Sequence, residues 1–457
     1  MTRKNETFPT TPPRDRALLV GVDIYGDENL LPVEESLAEL NRLAETAGLN
    51  VVGETKQNLT KPNPKTYIGS GKVEEIQGLI EEFQTEIVIF DNELNPRHQR
   101  ELENIFTDKV RVLDRTALIL DIFAQHANTH EGSLQVELAQ YEYRLPRLTR
   151  AWTHLARQAG GGGGRSGGGG VGLRGPGEKQ LEVDRREIHR RVDFLKTELE
   201  KVRAHRGRHR ARRKKSRIPV IALVGYTNAG KSTLLNQLSG AEVYAADQLF
   251  ATLDPTTRRV ELPGGTAALI TDTVGFIQKL PTTLVAAFRA TLEEIAEADL
   301  LLHVVDVTHP SAKAQAESVL NTLEEIEADH IPVLTVLNKI DRLSDPSSAR
   351  ENLTLAGYTD AVAISALSGE GINDLLPAIH KKLFELYVSV EVLLPYSEGG
   401  LTALFHEQGQ VEQIEHTRDG VIIAGRIPGR LLATFKEFEV NGQDDNPEDV
   451  QAFEQLG

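Results

Sequence analysis

The sequence predicts an α/β protein assembled from several units, and three observations carry that expectation. Strand-like apolar runs alternate with helical patterns in residues 17–128 and again in 218–386; two amphipathic helical stripes flank a glycine-rich run between them; residues 387–457 return to short strands around one helix. Strands alternating with helices at this spacing imply mostly parallel sheets. At 457 residues the chain exceeds what one core accommodates, and ordinary domain sizes give roughly three or four units.

Composition removes several function classes. Cysteine is absent, which excludes disulfides, thiolate catalysis and Cys-ligated metals. Residues 1–16 mix charged residues with proline and lack an apolar core, so they read as a disordered leader and not as a signal peptide. No apolar run reaches the roughly 18 residues that span a bilayer, so the protein is expected in the cytoplasm, as a monomer. The formal net charge is −16, yet residues 201–217 hold ten Lys or Arg and no Asp or Glu. A basic patch on an otherwise acidic chain attracts phosphate backbones while limiting indiscriminate binding.

In residues 17–128 the reading is a strand at 17–23, a helix at 34–47, strands at 51–54 and 86–90, a helix at 97–106 and a strand at 110–113: a small α/β domain. Gly69-Ser70-Gly71-Lys72 has an anion-binding look but lacks the full phosphate-loop spacing, so a turn opening a helix is the better reading.

The period then changes. Leu134, Leu138, Tyr141, Leu145 and Leu148 recur at steps of four and three, and Leu181, Ile188, Val192, Leu195, Leu199 and Val202 form a second stripe. Two such stripes bury each other as an antiparallel helical pair, so residues 129–217 are expected to form a helical hairpin with a glycine-rich tip and a basic segment. The tip, Gly160 to Gly177, carries Arg165 and Arg174. Composition reads it as a flexible linker; its arginines and its place at a hairpin tip also fit a loop that moulds itself onto RNA.

From residue 218 the pattern becomes strand, glycine loop, helix, with strands at 219–224, 259–262, 267–271, 300–307, 333–338 and 361–365. Pro263, Gly264 and Gly265 turn one hairpin. Six strands with one antiparallel edge describe a Ras-like doubly wound sheet, whose ligand binds at the carboxyl ends of the strands.

The motifs stand at those strand ends. Gly225-Tyr226-Thr227-Asn228-Ala229-Gly230-Lys231-Ser232, followed by Thr233, fits the P-loop pattern G-x-x-x-x-G-K-[ST] between an apolar strand and a helix. In such a loop backbone N–H groups cradle phosphates, Lys231 neutralises β/γ oxygens and the Ser232 hydroxyl coordinates Mg²⁺. Asn338-Lys339-Ile340-Asp341 supplies base choice: the Asp341 carboxylate accepts from guanine N1–H and N2, which adenine lacks. Ser365-Ala366-Leu367 is expected to present the Ala366 N–H to the base oxygen. Asp272-Thr273-Val274-Gly275 supplies the water-mediated Mg²⁺ carboxylate and the Gly275 N–H facing the γ-phosphate. Within Phe250-Ala251-Thr252-Leu253-Asp254, Thr252 is the candidate switch threonine on Mg²⁺, with Thr256 and Thr257 as competitors. Their order and spacing imply a GTPase.

No side chain is identified as the catalytic base; Lys231 and Thr252 assist. Phe276 stands where many such enzymes carry the glutamine that orients water, so hydrolysis is expected to be slow alone and dependent on a partner. His303, inside an apolar strand, reads as a satisfied core histidine.

The chain resembles one family, the HflX GTPases, relatives of the Obg group. The residues that carry the resemblance are Tyr67 to Lys72, Asp114-Arg115-Thr116, Gln135 to Gln140, the glycine-rich run, Gly175-Pro176-Gly177-Glu178 before Gln180-Leu181-Glu182, and Phe250 to Asp254, across residues 20–370. Lys179 and Ser70 depart from the family pattern. The resemblance implies a GTPase that binds the large ribosomal subunit, reaches towards its peptidyl-transferase region, and helps split or rescue stalled ribosomes. Arg206, Arg208, Arg210, Arg212 and Arg213, with Arg165 and Arg174, are the candidate RNA contacts. Asn228 also resembles the loop asparagine of GTPases such as MnmE, which implies a K⁺ ion beside the phosphates. Competing readings are a GTPase in ribosome assembly or tRNA modification, and a GTP switch with a protein partner.

Overall fold

The computed structural model describes residues 14–26, 31–107, 109–147, 185–202, 204, 218–240, 249–250, 255–265, 267–279, 292, 295–343, 361–384, 387–428 and 431–440. These fall into two compact units, divided within the helix Ile372–Phe384 between Leu376 and Pro377.

The first unit opens with a four-stranded parallel sheet: β1 (Arg16–Ile24), β2 (Asn50–Leu59), β3 (Ile87–Phe90) and β4 (Arg111–Asp114), in the order β2-β1-β3-β4. Central strands β1 and β3 are almost wholly apolar and buried, as strands covered on both faces must be. One face is closed by α2 (Ser70–Phe83) and α3 (Pro96–Phe106), whose Val73, Ile76, Leu102 and Phe106 meet Leu18, Val20, Val88 and Phe90. The other is covered by α1 (Val33–Thr46), α4 (Arg115–His126) and α5 (His130–Arg144), and here the core continues into the nucleotide-motif half of the unit.

Local sequence accounts for the helix starts. Asn95 accepts from the His98 N–H at 2.8 Å ahead of Pro96, and Thr129 accepts from the Gly132 N–H at 3.0 Å. Helix α4 follows β4 with no intervening residue, because Asp114 both ends the strand and accepts from the Ala117 N–H at 2.9 Å. That junction has no turn residue, which is why the sequence reading stops at the strand. Strand β2 also runs five residues beyond the expected 54.

The two leucine stripes do pack on each other: Leu134 and Leu138 of α5 meet Ile188, Val192, Leu195 and Leu199 of α6 (residues 185–202). Ion pairs Glu137–Arg191 at 2.8 Å and Glu142–Lys196 at 3.0 Å flank the seam. The glycine-rich run and the arginines at 165, 174, 206, 208, 210, 212 and 213 lie outside the described residues.

The second sheet of this unit comprises β5 (Val220–Gly225), β6 (Thr256–Glu261), β7 (Ala267–Asp272), β8 (Leu300–Asp306), β9 (Val333–Asn338) and β10 (Val362–Ala363), in the order β10-β9-β8-β5-β7-β6. All pairings are parallel except β6 with β7 at the edge. This is the doubly wound sheet the sequence implies. Strands β5 and β8 neighbour each other at its centre; β5 ends at Gly225 opposite Val304, β8 runs two residues further to Asp306, and the glycine loop follows from the end of β5.

In the other unit β11 (Tyr387–Leu394), β12 (Gln410–His416) and β13 (Val421–Pro428) form an antiparallel sheet in the order β11-β13-β12. Helix Gly399–Gln408 contributes Phe405, which meets Phe435 edge to face at 5.4 Å between ring centroids. Among the described residues no helix is long and apolar enough to cross a membrane.

Candidate nucleotide-binding site

Residues 225–232 form the turn from β5 into α7 (Lys231–Ser239). The turn needs glycine at both ends. Gly225 has φ +151° and a Cβ there would lie 2.3 Å from the Val304 carbonyl oxygen; Gly230 has φ +97° and a Cβ would lie 2.2 Å from the Asn338 amide nitrogen. Asn228 adopts φ +60°, a conformation asparagine tolerates better than most.

Lys231 is buried and its Nζ donates to the carbonyl oxygens of Gly225 and Tyr226, at 3.1 and 2.9 Å. Burial lowers its pKa to about 8, with Asp272 partly opposing the shift. An ammonium held in a dry loop at the N-terminus of a helix is a ready receptor for an anion. The Ser232 hydroxyl donates to Asp272 Oδ2 at 2.6 Å, and Asp272 is fully buried. A hydroxyl and a carboxylate on one point beside a phosphate receptor suit Mg²⁺, which keeps several waters and takes few protein ligands. Ser232 would bind it directly and Asp272 through water; when bound, the ion would neutralise charge between the β- and γ-phosphates.

The base-side motifs converge on the same loop. Asn338 Nδ2 donates to the Ala229 carbonyl at 2.8 Å, and its Oδ1 accepts from the Ala366 N–H at 2.9 Å. One amide therefore ties the glycine loop to Ser365-Ala366-Leu367. The Ala366 N–H, expected to face a base oxygen, donates to Asn338 in this structure. Lys339 Nζ donates to the Asn228 carbonyl at 2.8 Å and to Asp306 Oδ2 at 2.7 Å. Asp341 is exposed in the 3-10 turn Ile340–Arg342, and Leu367 is 74 % exposed.

Gly275 lies hard against the loop: a Cβ there would be 2.8 Å from Thr227 Cα and 3.0 Å from Lys231 Nζ. Its neighbour Thr273 donates to the Leu223 carbonyl at 2.6 Å. Phe276 is 2 % exposed in the core shared with the N-terminal sheet, and its backbone pairs with the loop, N–H to Gly225 O at 3.1 Å and O from the Thr227 N–H at 2.8 Å. Phe250 is buried in the same core, edge to face with Phe123 of α4 at 4.6 Å. Thr252, with Ala251, Leu253 and Asp254, lies outside the described residues. Thr257 bonds Thr271 at 2.9 Å within the edge hairpin.

His303 corrects its expectation. It is buried with neither ring nitrogen hydrogen-bonded, and burial, helped by Lys231, lowers its pKa to about 4, so it stays neutral behind the loop.

The sequence reading missed a second cluster. Tyr226 turns away from the loop into the N-terminal α/β half, where its hydroxyl donates to Glu39 of α1 and accepts from the Gln278 N–H at 2.7 Å. Arg115, fully buried, pairs with Glu39 and, at 2.5 Å, with Asp91; Lys279 reaches Asp91 at 2.6 Å. Burial raises the Glu39 pKa, with Arg115 only partly offsetting it. Asp91 lies below its ordinary value because Arg115 and Lys279 outweigh its burial. The available signal was Ser36 and Glu39 on the apolar face of α1 among Leu37, Leu40 and Leu43. A cavity of about 760 Å³ opens beside the loop, lined by Thr227, Asn228, Asp306 and Lys339 and, from α1, by Glu39 and Arg42.

Four family profiles match in order: GTP-binding GTPase N-terminal over residues 34–124, GTP-binding GTPase Middle Region over 126–213, 50S ribosome-binding GTPase over 220–339, and HflX C-terminal domain over 353–430. The chain is 44% identical over 416 residues to GTPase HflX of Alkalihalophilus pseudofirmus, covering 90% of this chain and 93% of that one. It is 43% identical over 417 residues to GTPase HflX of Escherichia coli, covering 91% and 94%. A GTP-binding protein from Sulfolobus solfataricus solved in complex with GDP is 26% identical, with coverage of 81% and 99% and a TM-score of 0.41. With the loop, the strand-end motifs, the four profiles and the two GTPase HflX relatives together, the chain belongs to the HflX family of GTPases and is a GTP hydrolase.

Proposed function

We propose that the protein is a cytoplasmic GTPase that binds the large ribosomal subunit and uses GTP hydrolysis to split or rescue stalled ribosomes. The observation that carries this reading is the match along the parts outside the nucleotide sheet, together with a GTPase segment whose profile is described as 50S ribosome-binding. The basic segment 201–217 and the arginines of the glycine-rich run supply the charge an RNA surface asks for. In this reading Lys231, Gly275 and the loop N–H groups hold the phosphates, Ser232, Thr252 and Asp272 serve Mg²⁺, and Asp341 reads guanine. Asn228 helps hold a K⁺ ion. Phe276 brings no water-positioning group, so turnover is slow until the ribosome supplies one.

Co-sedimentation with purified large subunits tests the proposal: binding is expected with a non-hydrolysable GTP analogue and is expected to weaken with GDP. Turnover should rise at least tenfold, about 1.4 kcal/mol of barrier, when subunits are added. Absence of both effects would favour a switch with a protein partner; binding confined to immature subunits would favour an assembly role. Asp341→Asn should shift preference towards xanthosine triphosphate, and full retention of GTP preference would remove Asp341 from the base site. Faster hydrolysis in potassium than in sodium, lost in Asn228→Ala, tests the K⁺ role.

A further inference from the structure

We infer that Glu39 and Asp91, in the N-terminal α/β half, are positioning residues for GTP hydrolysis, acting through Tyr226 and Lys279 to set where the segment after Gly275 lies against the phosphate loop.

Three bonds staple that segment to the loop. Two are backbone pairs through Phe276, and the third is the Gln278 N–H donating to the Tyr226 hydroxyl at 2.7 Å. The Tyr226 hydroxyl is in turn held by Glu39. One residue further on, Lys279 adopts φ +54°, a left-handed conformation that lysine rarely takes, and its ammonium meets Asp91 at 2.6 Å. Arg115 bridges Glu39 and Asp91, and the Ser36 hydroxyl donates to Asp91 at 2.7 Å, so the two carboxylates form one buried anchor. The chain between the anchored residues and Gly275 is only a few residues long. Gly275 runs so close to the loop that a Cβ on it would lie 2.8 Å from Thr227 Cα and 3.0 Å from Lys231 Nζ, so a small displacement at Gln278 changes where the Gly275 N–H stands against the loop. Donors aimed at developing charge contribute only when their position is fixed beforehand. Phe276, whose ring is spent in the interdomain core, offers no substitute.

The inference rests on the reading of Gly275 and Lys231 as phosphate contacts, and Lys231→Ala tests that reading separately: undiminished GDP binding by it would sink the phosphate assignment alone. The positioning role is tested on the full chain by single-turnover hydrolysis at saturating GTP, with GDP affinity and thermal midpoint measured in parallel. Tyr226→Phe and Glu39→Gln are each expected to slow the rate constant at least fivefold with GDP affinity within twofold. The double variant should be no slower than the slower single, because both break the same connection. Lys279→Met should also slow hydrolysis and Lys279→Arg restore it, and these variants at a half-buried position serve if the buried ones do not fold. An unchanged rate in folded Tyr226→Phe or Lys279→Met, or independent multiplying effects of Glu39→Gln and Tyr226→Phe, would overturn the inference.

Discussion

The two sheets of the first unit end parallel strands in carboxylates and put them to opposite use. In the N-terminal sheet Asp91 follows β3 and Asp114 closes β4; in the second sheet Asp272 closes β7 and Asp306 closes β8. Asp91 is met by Arg115. Asp114 is met by the Tyr143 hydroxyl at 2.8 Å and by Arg147, whose guanidinium also stacks 3.6 Å above the Tyr143 ring. Asp272 faces a serine hydroxyl at the start of α7, and Asp306 holds the lysine that braces a glycine loop. The topology places acids at the same end of both sheets. What decides between a filled core and a receptive site is the neighbouring loop: arginine side chains close the first, while glycine backbone leaves the second open to phosphate.

That contrast is open to test, beginning where the effect should be greatest. Arg115→Met leaves Glu39 and Asp91 buried against each other with Lys279 as the remaining cation, and should lower stability by about 3–5 kcal/mol, read from urea unfolding. A loss below about 1 kcal/mol would mean the N-terminal carboxylates are no more committed to internal partners than Asp272. In the second sheet Lys231→Ala should cost nucleotide affinity about a hundredfold while barely moving the unfolding midpoint, the reverse pattern.

A third prediction uses proton linkage at His303. Its folded pKa of about 4 lies below the ordinary 6.5, so the neutral form is favoured by folding. The stability it contributes is present above 6.5 and lost as pH falls from there towards 4, by about 3 kcal/mol in all. His303→Gln should remove this acid-side slope; an unchanged slope would place the titration elsewhere. Smallest is the pH dependence of binding. Phosphate binds the ammonium form of Lys231, which in the free protein titrates near 8. GDP affinity should be nearly level well below that pH and fall about fivefold from pH 8 to 9. Affinity level across that interval would show that the lysine stays charged without nucleotide.

The nucleotide half was legible in sequence because its information is local. Gly225 to Ser232, Asp272 to Gly275 and Asn338 to Asp341 each lie on one strand end, and their spacing is fixed by the turn they make. The central strands were equally plain, being continuous apolar runs. What could not be read depends on distance along the chain. Glu39 and Tyr226 are separated by 187 positions, and nothing near either announces the other. Phe276 shows the cost of local reading: in sequence it is a missing glutamine, whereas in the structure it is a core residue joining two sheets. The bond from the Ala366 N–H to Asn338 is of the same kind, joining residues 28 positions apart. Helix α4 escaped because a strand passing directly into a helix has no turn chemistry to detect.

That direct passage at Asp114 bears on protein engineering. The same carboxylate closes a strand, starts a helix, receives the Leu94 N–H at 3.1 Å and holds Tyr143. An affinity tag or fluorescent reporter inserted between Asp114 and Arg115 would therefore break strand, helix and both cross-links at once. The hairpin tip between β12 and β13 is the opposite kind of place: Arg418 and Asp419 are exposed, and the turn is closed by Thr417 donating to the Gly420 carbonyl at 2.9 Å. A label carried there would leave the buried carboxylates of both sheets untouched.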